Sequence, residues 1–109
     1  MKNGLIIDKF GDSFYYKNDL LHREDGPAIK SSNGDKYWYI NGKLHRVDGP
    51  AISPIIGSKE WFLNGKRHRE DGPAIEYAHG EKSWWFNGEF IYCKTNEEFL
   101  RIVKLKAFL

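Results

Sequence analysis

Histidine and aspartate recur in this sequence at a spacing that invites chemistry. His22, His45 and His68 are separated by one constant step, and an aspartate follows each at the same short distance: Asp25, Asp48 and Asp71. Imidazole and carboxylate together can hold a metal ion or pass a proton. A metal site needs ligands that converge on one ion at about 2 Å. Equivalent positions in a repeat array are instead displaced by a whole unit, on the order of 10 Å for units of two or three strands. Three identical pairs therefore fit a structural task done three times, such as a histidine bonding the Asp-Gly-Pro turn beside it. The expectation is that His22, His45, His68, Asp25, Asp48, Asp71, Gly26, Gly49 and Gly72 shape turns, with no catalytic residue, metal or cofactor. Cys93 has no flanking histidine or basic helix end to activate its thiol. No phosphate-binding glycine loop, nucleophile elbow or paired catalytic carboxylates occur.

A second set could bind. Arg23, Arg46 and Arg69 are equivalent, with Lys43, Lys66 and Arg67 nearby. Aligned along a sheet they would make a basic ridge beside an aromatic row, a surface suited to single-stranded nucleic acid. Seventeen bases are nearly balanced by 15 acids, however, so no long-range field steers a polyanion. Pairing with Glu24, Glu70 and the turn aspartates is the competing expectation. Tyr15, Trp38, Trp61 and Trp84 hold one position of successive units. Ile40, Leu63 and Phe86 fall on the same face two positions on. Tyr16, Tyr39, Phe62 and Trp85 point the other way. Such rows either pair across strands or form an interface, where Trp, Tyr and Arg supply most hot spots. Two aromatic faces need two covers. The binding candidates are Trp38, Trp61, Trp84, Lys43, Arg46, Lys66, Arg67 and Arg69.

The elements that must position these residues form a repeat. Asp25-Gly26-Pro27-Ala28-Ile29 returns at 48–52 and at 71–75, and Asn18, Asn41, Asn64 and Asn87 keep the same step. One domain results: an N-terminal strand or cap at 1–13, units at 14–36, 37–59 and 60–82, a half unit at 83–94 and a helix at 95–109. Tyr37-Trp38-Tyr39-Ile40 before Asn41-Gly42 reads as a hairpin, because a type I′ turn needs positive φ at both central residues. Asn18-Asp19 fills that place in unit one. In Asp-Gly-Pro the glycine is expected to supply positive φ and the proline to start a strand. Asn33-Gly34, Ile56-Gly57 and His79-Gly80 close each unit with a third turn, and Pro54 should make unit two the least regular. The fold expected is all-β: an elongated antiparallel meander of nine or ten strands, roughly 40–45 Å long.

Residues 95–109 differ in kind. Thr95 with Glu98 has the form of a capping box, and Phe99, Ile102, Val103 and Ala107 share one helical face. A helix of about 14 residues is expected to cap the last hairpin. Its end, Phe108-Leu109, leaves dimerisation open.

Composition agrees: 16% aromatic residues and 11 glycines suit strands joined by tight turns. A single cysteine points to a reducing compartment. The apolar run near the N-terminus is too short for a signal peptide, and none reaches bilayer length. The expected location is the cytosol, the cell's own or an infected host's, without membrane insertion.

Tyr39-Ile40-Asn41-Gly42-Lys43-Leu44-His45 and Phe62-Leu63-Asn64-Gly65-Lys66-Arg67-His68 resemble the MORN repeat, which has a similar period and builds an elongated hairpin array. The departure follows the histidine. MORN units continue His-Gly-x-Gly, whereas 22–28 and 68–74 read His-Arg-Glu-Asp-Gly-Pro-Ala, with Val47 replacing the glutamate in unit two. This variant is similar to repeats in small proteins of bacteriophages and giant viruses. The resemblance, over about residues 14–92, implies a non-enzymatic scaffold or binding module. Its partner would be a host protein, inhibited sterically as by an anti-defence factor, and a homodimer is compatible with it. The alternative is nucleic acid or a nucleotide on the basic-aromatic face. The third reading is an antitoxin-like or scaffolding protein.

Overall fold

The computed structural model describes residues 1–107; Phe108 and Leu109, on which the dimerisation expectation fell, lie outside the described residues. Among the described residues, fourteen short strands precede one helix. The first unit runs through β2 (Ser13–Lys17), β3 (Leu20–Leu21) and β4 (Ile29–Lys30), after an N-terminal β1 (Gly4–Ile7). Unit two begins in the consecutive strands β5 (Lys36–Tyr37) and β6 (Tyr39–Ile40), followed by β7 (Lys43–Leu44) and β8 (Ile52–Ser53). β9 (Lys59–Glu60), β10 (Phe62–Leu63), β11 (Lys66–Arg67) and β12 (Ile75–Glu76) repeat that order. β13 (Lys82–Phe86), β14 (Glu89–Ile91) and α1 (Asn96–Lys106) complete the chain.

The hairpin turns form as their residues require. Asn41 and Gly42 have φ of 49° and 78°, and Asn18 and Asp19 have 52° and 67°. Both central positions are thus left-handed, as a type I′ turn demands.

Strand pairing is more elaborate than a meander in which each strand joins the next. The main sheet has the order β1-β2-β4-β5-β8-β9-β12-β13-β14, with β3 on β2, while β6-β7 and β10-β11 stand off it as separate hairpins. One extended run, Lys36 to Ile40, serves both parts and changes partner at Trp38. The Trp38 N–H donates to the Ala51 carbonyl at 2.7 Å, and the Trp38 carbonyl accepts from the His45 N–H at 3.0 Å. Tyr15 and Trp61 do the same with Ala28 and His22, and with Ala74 and His68. The Trp row is therefore the pivot at which each strand leaves the sheet for its hairpin. The hairpins are themselves bonded in series: Gly42 N–H to Leu21 O, Gly65 N–H to Leu44 O and Gly88 N–H to Arg67 O, each 2.8 Å.

Two main-sheet strands per unit advance the array by about 10 Å. The molecule measures 47 × 31 × 18 Å with a radius of gyration of 15.7 Å, against about 13 Å for a compact chain of this length. Ala28, Ala51 and Ala74 are completely buried at equivalent places in the three units, and the larger buried side chains, Phe62, Ile75, Trp84, Ile91 and Phe99, lie from unit three onward. Pro54 has the expected effect. Ser31 and Tyr77 donate N–H bonds to Asp35 and Glu81 across their turns; proline at the equivalent place has no N–H to give. There β8 and β9 share a single register pair, Ile52 with Glu60.

The helix closes the C-terminal end. Thr95 accepts from the Glu98 N–H at 3.1 Å, and two acids occupy the first turn and two lysines the last, in keeping with the helix dipole. Phe99, fully buried, packs with Trp84 and Ile91, with Phe86, Cys93, Ile102 and Val103 around them. Ala107 is exposed instead of lying on that face. No helix among the described residues is long and apolar enough to cross a membrane.

Candidate functional site

Each Asp-Gly-Pro turn is built around its arginine. Arg46 Nε donates to Asp48 Oδ1 at 3.1 Å and its terminal nitrogen to the Pro50 carbonyl at 3.1 Å. Its guanidinium also lies over the Trp38 ring, 3.9 Å from the centroid, where cation–π attraction adds to packing. Arg23 repeats this with Asp25, Pro27 and Tyr15, and Arg69 with Asp71, Pro73 and Trp61. Arg69 additionally bonds Glu76 at 2.7 Å. Asp25 is held below its ordinary range first by the hydrogen bond from Arg23 and then by that residue's charge.

This arrangement corrects the expectation for Gly26, Gly49 and Gly72. None of them has positive φ. A Cβ at Gly49 would stand 2.9 Å from Arg46 Cζ, and the same holds at Gly26 and Gly72. These glycines leave room for a guanidinium.

Each histidine bonds the next unit through Nδ1 and not the Asp-Gly-Pro turn of its own, although His22 and His68 also hold Nε2 3.5 Å from Glu24 and Glu70. His22 Nδ1 accepts the Asn41 N–H at 3.0 Å, His45 Nδ1 that of Asn64 at 3.0 Å, and His68 Nδ1 that of Asn87 at 2.8 Å. An accepting Nδ1 places the imidazole proton on Nε2. The turn aspartates belong to arginine, and the histidine of the same unit is not bonded to them. A second series joins the third turns: Ser32 N–H to Asp12 and Ile55 N–H to Asp35, each 2.7 Å, and Ala78 N–H to Ser58 at 3.3 Å.

Both ends replace a missing neighbour. At the N-terminus the Lys2 carbonyl takes the Asp19 N–H at 2.9 Å, and Asn3 Oδ1 takes the Asn18 N–H at 2.9 Å. Asn3 thereby does for the first hairpin what His22 does for the second. Near the other end, Ile91 occupies the histidine position and packs on the helix.

Between successive Asp-Gly-Pro turns lie two equivalent grooves. One, of 810 Å³, has Trp38, Ile40 and Pro27 among its walls, with Glu24 and Asp25 at the rim. The other, of 630 Å³, has Trp61, Leu63 and Pro50, with Glu70 and Asp71. Val47 and Asp48 line both. Val47 is 82% exposed, in a position that carries glutamate in the flanking units. An aliphatic side chain thus stands in water between two acidic rims, over tryptophan-walled depressions.

The binding candidates are divided by this geometry. Trp38, Trp61, Arg46 and Arg69 meet at the grooves. Trp84 is only 6% exposed and bonds Asn96 through Nε1 at 2.8 Å, beneath the helix. Arg67 is bound to Glu60 at 2.9 Å, with its guanidinium carbon 5.1 Å from the Phe62 ring centroid and 4.9 Å from that of Trp85. Lys43 and Lys66 are exposed and stack on the Asn-Gly turns through their stems, beside Gly65 and Gly88. The basic ridge does not form, because its arginines are turned inward to their own aspartates and rings. Burial raises the Cys93 thiol pKa, and Glu98 adds to the rise. Sequence reasoning passed over Val47 as a binding residue, although its break with the glutamate of the other two units was the available signal.

No family model, curated protein or solved structure matches the chain.

Proposed function

We propose that this protein is a non-enzymatic protein-binding module whose working surface is the pair of grooves on either side of Val47. The observation that carries this reading is the exposed valine itself. Placing an aliphatic side chain where both neighbouring units have glutamate leaves apolar area in water, and a partner that covers it recovers that free energy. Trp38 and Trp61 supply large, rigid surfaces on the two sides, already held by Arg46 and Arg69. Little side-chain entropy is lost when such rings are covered.

The same arginines weigh against nucleic acid as the ligand. Their donors are spent on Asp48, Asp71 and proline carbonyls, and the rims offer carboxylates to a phosphate backbone. The family resemblance favours a host protein as partner, inhibited by steric cover from an elongated body.

Val47→Glu tests the reading, because it restores the residue of the flanking units at an exposed position and should leave the thermal midpoint unchanged. Wild-type protein immobilised on a column should retain one stoichiometric protein from host lysate, and the variant should lose it at least tenfold. Retention unaffected by the substitution would remove the grooves from the account. Binding to heparin that survives moderate salt would favour the polyanion alternative.

A further inference from the structure

The free edge of the main sheet has a design that the grooves do not use. β1 pairs with β2 in the register Ile7 with Ser13, Ile6 with Phe14, Leu5 with Tyr15 and Gly4 with Tyr16. Asp8 N–H donates to the Asp12 carbonyl, so that pair is hydrogen-bonded, and the alternation of an antiparallel ladder makes Ile6–Phe14 the next bonded pair. Tyr15 agrees, since its N–H and carbonyl are engaged on the far side of β2 by Ala28 and His22. The backbone N–H and C=O groups of Leu5 and Ile7 therefore point out of the sheet.

Among the described residues nothing covers that edge. Native edges are blunted by charge, proline, bulges or a covering element. Residues 4–7 carry no charge and no proline, and Leu5, Ile6 and Ile7 are 49%, 39% and 63% exposed. At the opposite end of the array α1 packs on the last hairpin.

We propose that β1 pairs with β1 of a second copy, antiparallel about a two-fold axis that passes beside Ile6. The outward groups select this register. Leu5 faces Ile7 of the second copy and Ile7 faces its Leu5, so two hydrogen-bonded pairs exchange four bonds. Ile6 meets Ile6 as the intervening pair without hydrogen bonds, as its inward-turned backbone requires. A register one step nearer the N-terminus, with Leu5 facing Leu5, would need an outward pair at Asn3. The side chain there is already bonded to Asn18, and the strand leaves β geometry at Gly4, where φ is 80°.

Side chains fit the two-fold. Asp8 comes opposite Gly4 and Lys9 opposite Asn3, so no like charges are brought together. The row in which Ile6, Phe14, Ile29, Tyr37 and Ile52 face one another strand by strand continues through Ile6 into the second copy. Pairing the same edge of both copies closes the assembly at two, since an isologous contact uses up the surface that made it.

Sedimentation equilibrium of the whole chain over a concentration series should show a reversible monomer–dimer equilibrium. Leu5→Lys with Ile7→Lys places like charges opposite each other in this register, and it should weaken dimerisation at least tenfold with the circular dichroism spectrum unchanged. In a Cys93→Ser background, Ile6→Cys should form an intermolecular disulfide under mild oxidation, because about 4.5 Å between the facing Cα atoms lies within disulfide reach. Leu5→Cys should cross-link poorly. A monomer at every concentration, a dimer insensitive to the double lysine variant, or efficient cross-linking only at position 5 would each overturn the proposal.

Discussion

At each Asp-Gly-Pro turn one guanidinium satisfies a carboxylate and a carbonyl, covers a ring, and fills the space that a Cβ would need. Gly49→Ala should therefore push the Arg46 guanidinium off Asp48 and the Pro50 carbonyl, at a cost of about 0.5–1.5 kcal/mol for a lost hydrogen bond, read as a lower denaturant midpoint at unchanged slope. Lysine cannot reproduce the fork or the stacking, so Arg46→Lys should lower the midpoint as well. Asp25 gives this site a pH dependence. Its folded-state pKa lies below the ordinary 3.8 because Arg23 stabilises the carboxylate. The contribution is thus complete above that value and lost as pH falls through the depressed one. The histidines act between units. His45→Ala removes one acceptor, at a cost of about 0.5–1.5 kcal/mol. His68→Ala should cost more, since His68 is buried and packs its ring 4.6 Å from that of Phe86. Much of this scale escaped the sequence. The repeat showed that His, Arg and Asp have constant places, but not which of them meet. A pair such as His22 and Asn41 spans two units, and no local pattern makes its members adjacent.

Turns and strands were legible wherever a local rule decides them. Asn-Gly specified the hairpins through positive φ, whereas the strand expected to start at each Asp-Gly-Pro proline begins two residues later, at Ile29, Ile52 and Ile75. The change of partner at Trp38 was not legible, since an extended run looks the same whether it keeps one neighbour or takes two. The helix was legible in its cap and its apolar spacing, although it is shorter than expected, ending at Lys106. Its role as a cap rests on Phe99, which replaces the contacts another unit would make to Trp84 and Ile91. Phe99→Ala should cost about 3–5 kcal/mol. Loss of protection should begin in β13 and β14, and hydrogen exchange of their amides would locate it.

The three complete units are related by translation, with backbone, histidine and third-turn hydrogen bonds all crossing both boundaries between them. Neighbour contacts of this kind make stability approximately a sum over units and their interfaces. Removal of residues 37–59 joins Lys36 to Glu60, which preserves the repeat frame and every class of boundary contact. Small-angle scattering of that deletion variant, alongside the full chain, tests the translational account most directly. A folded protein whose long dimension falls from 47 Å by about 10 Å is the predicted result. An unfolded chain, or a folded one whose length is unchanged, would contradict it.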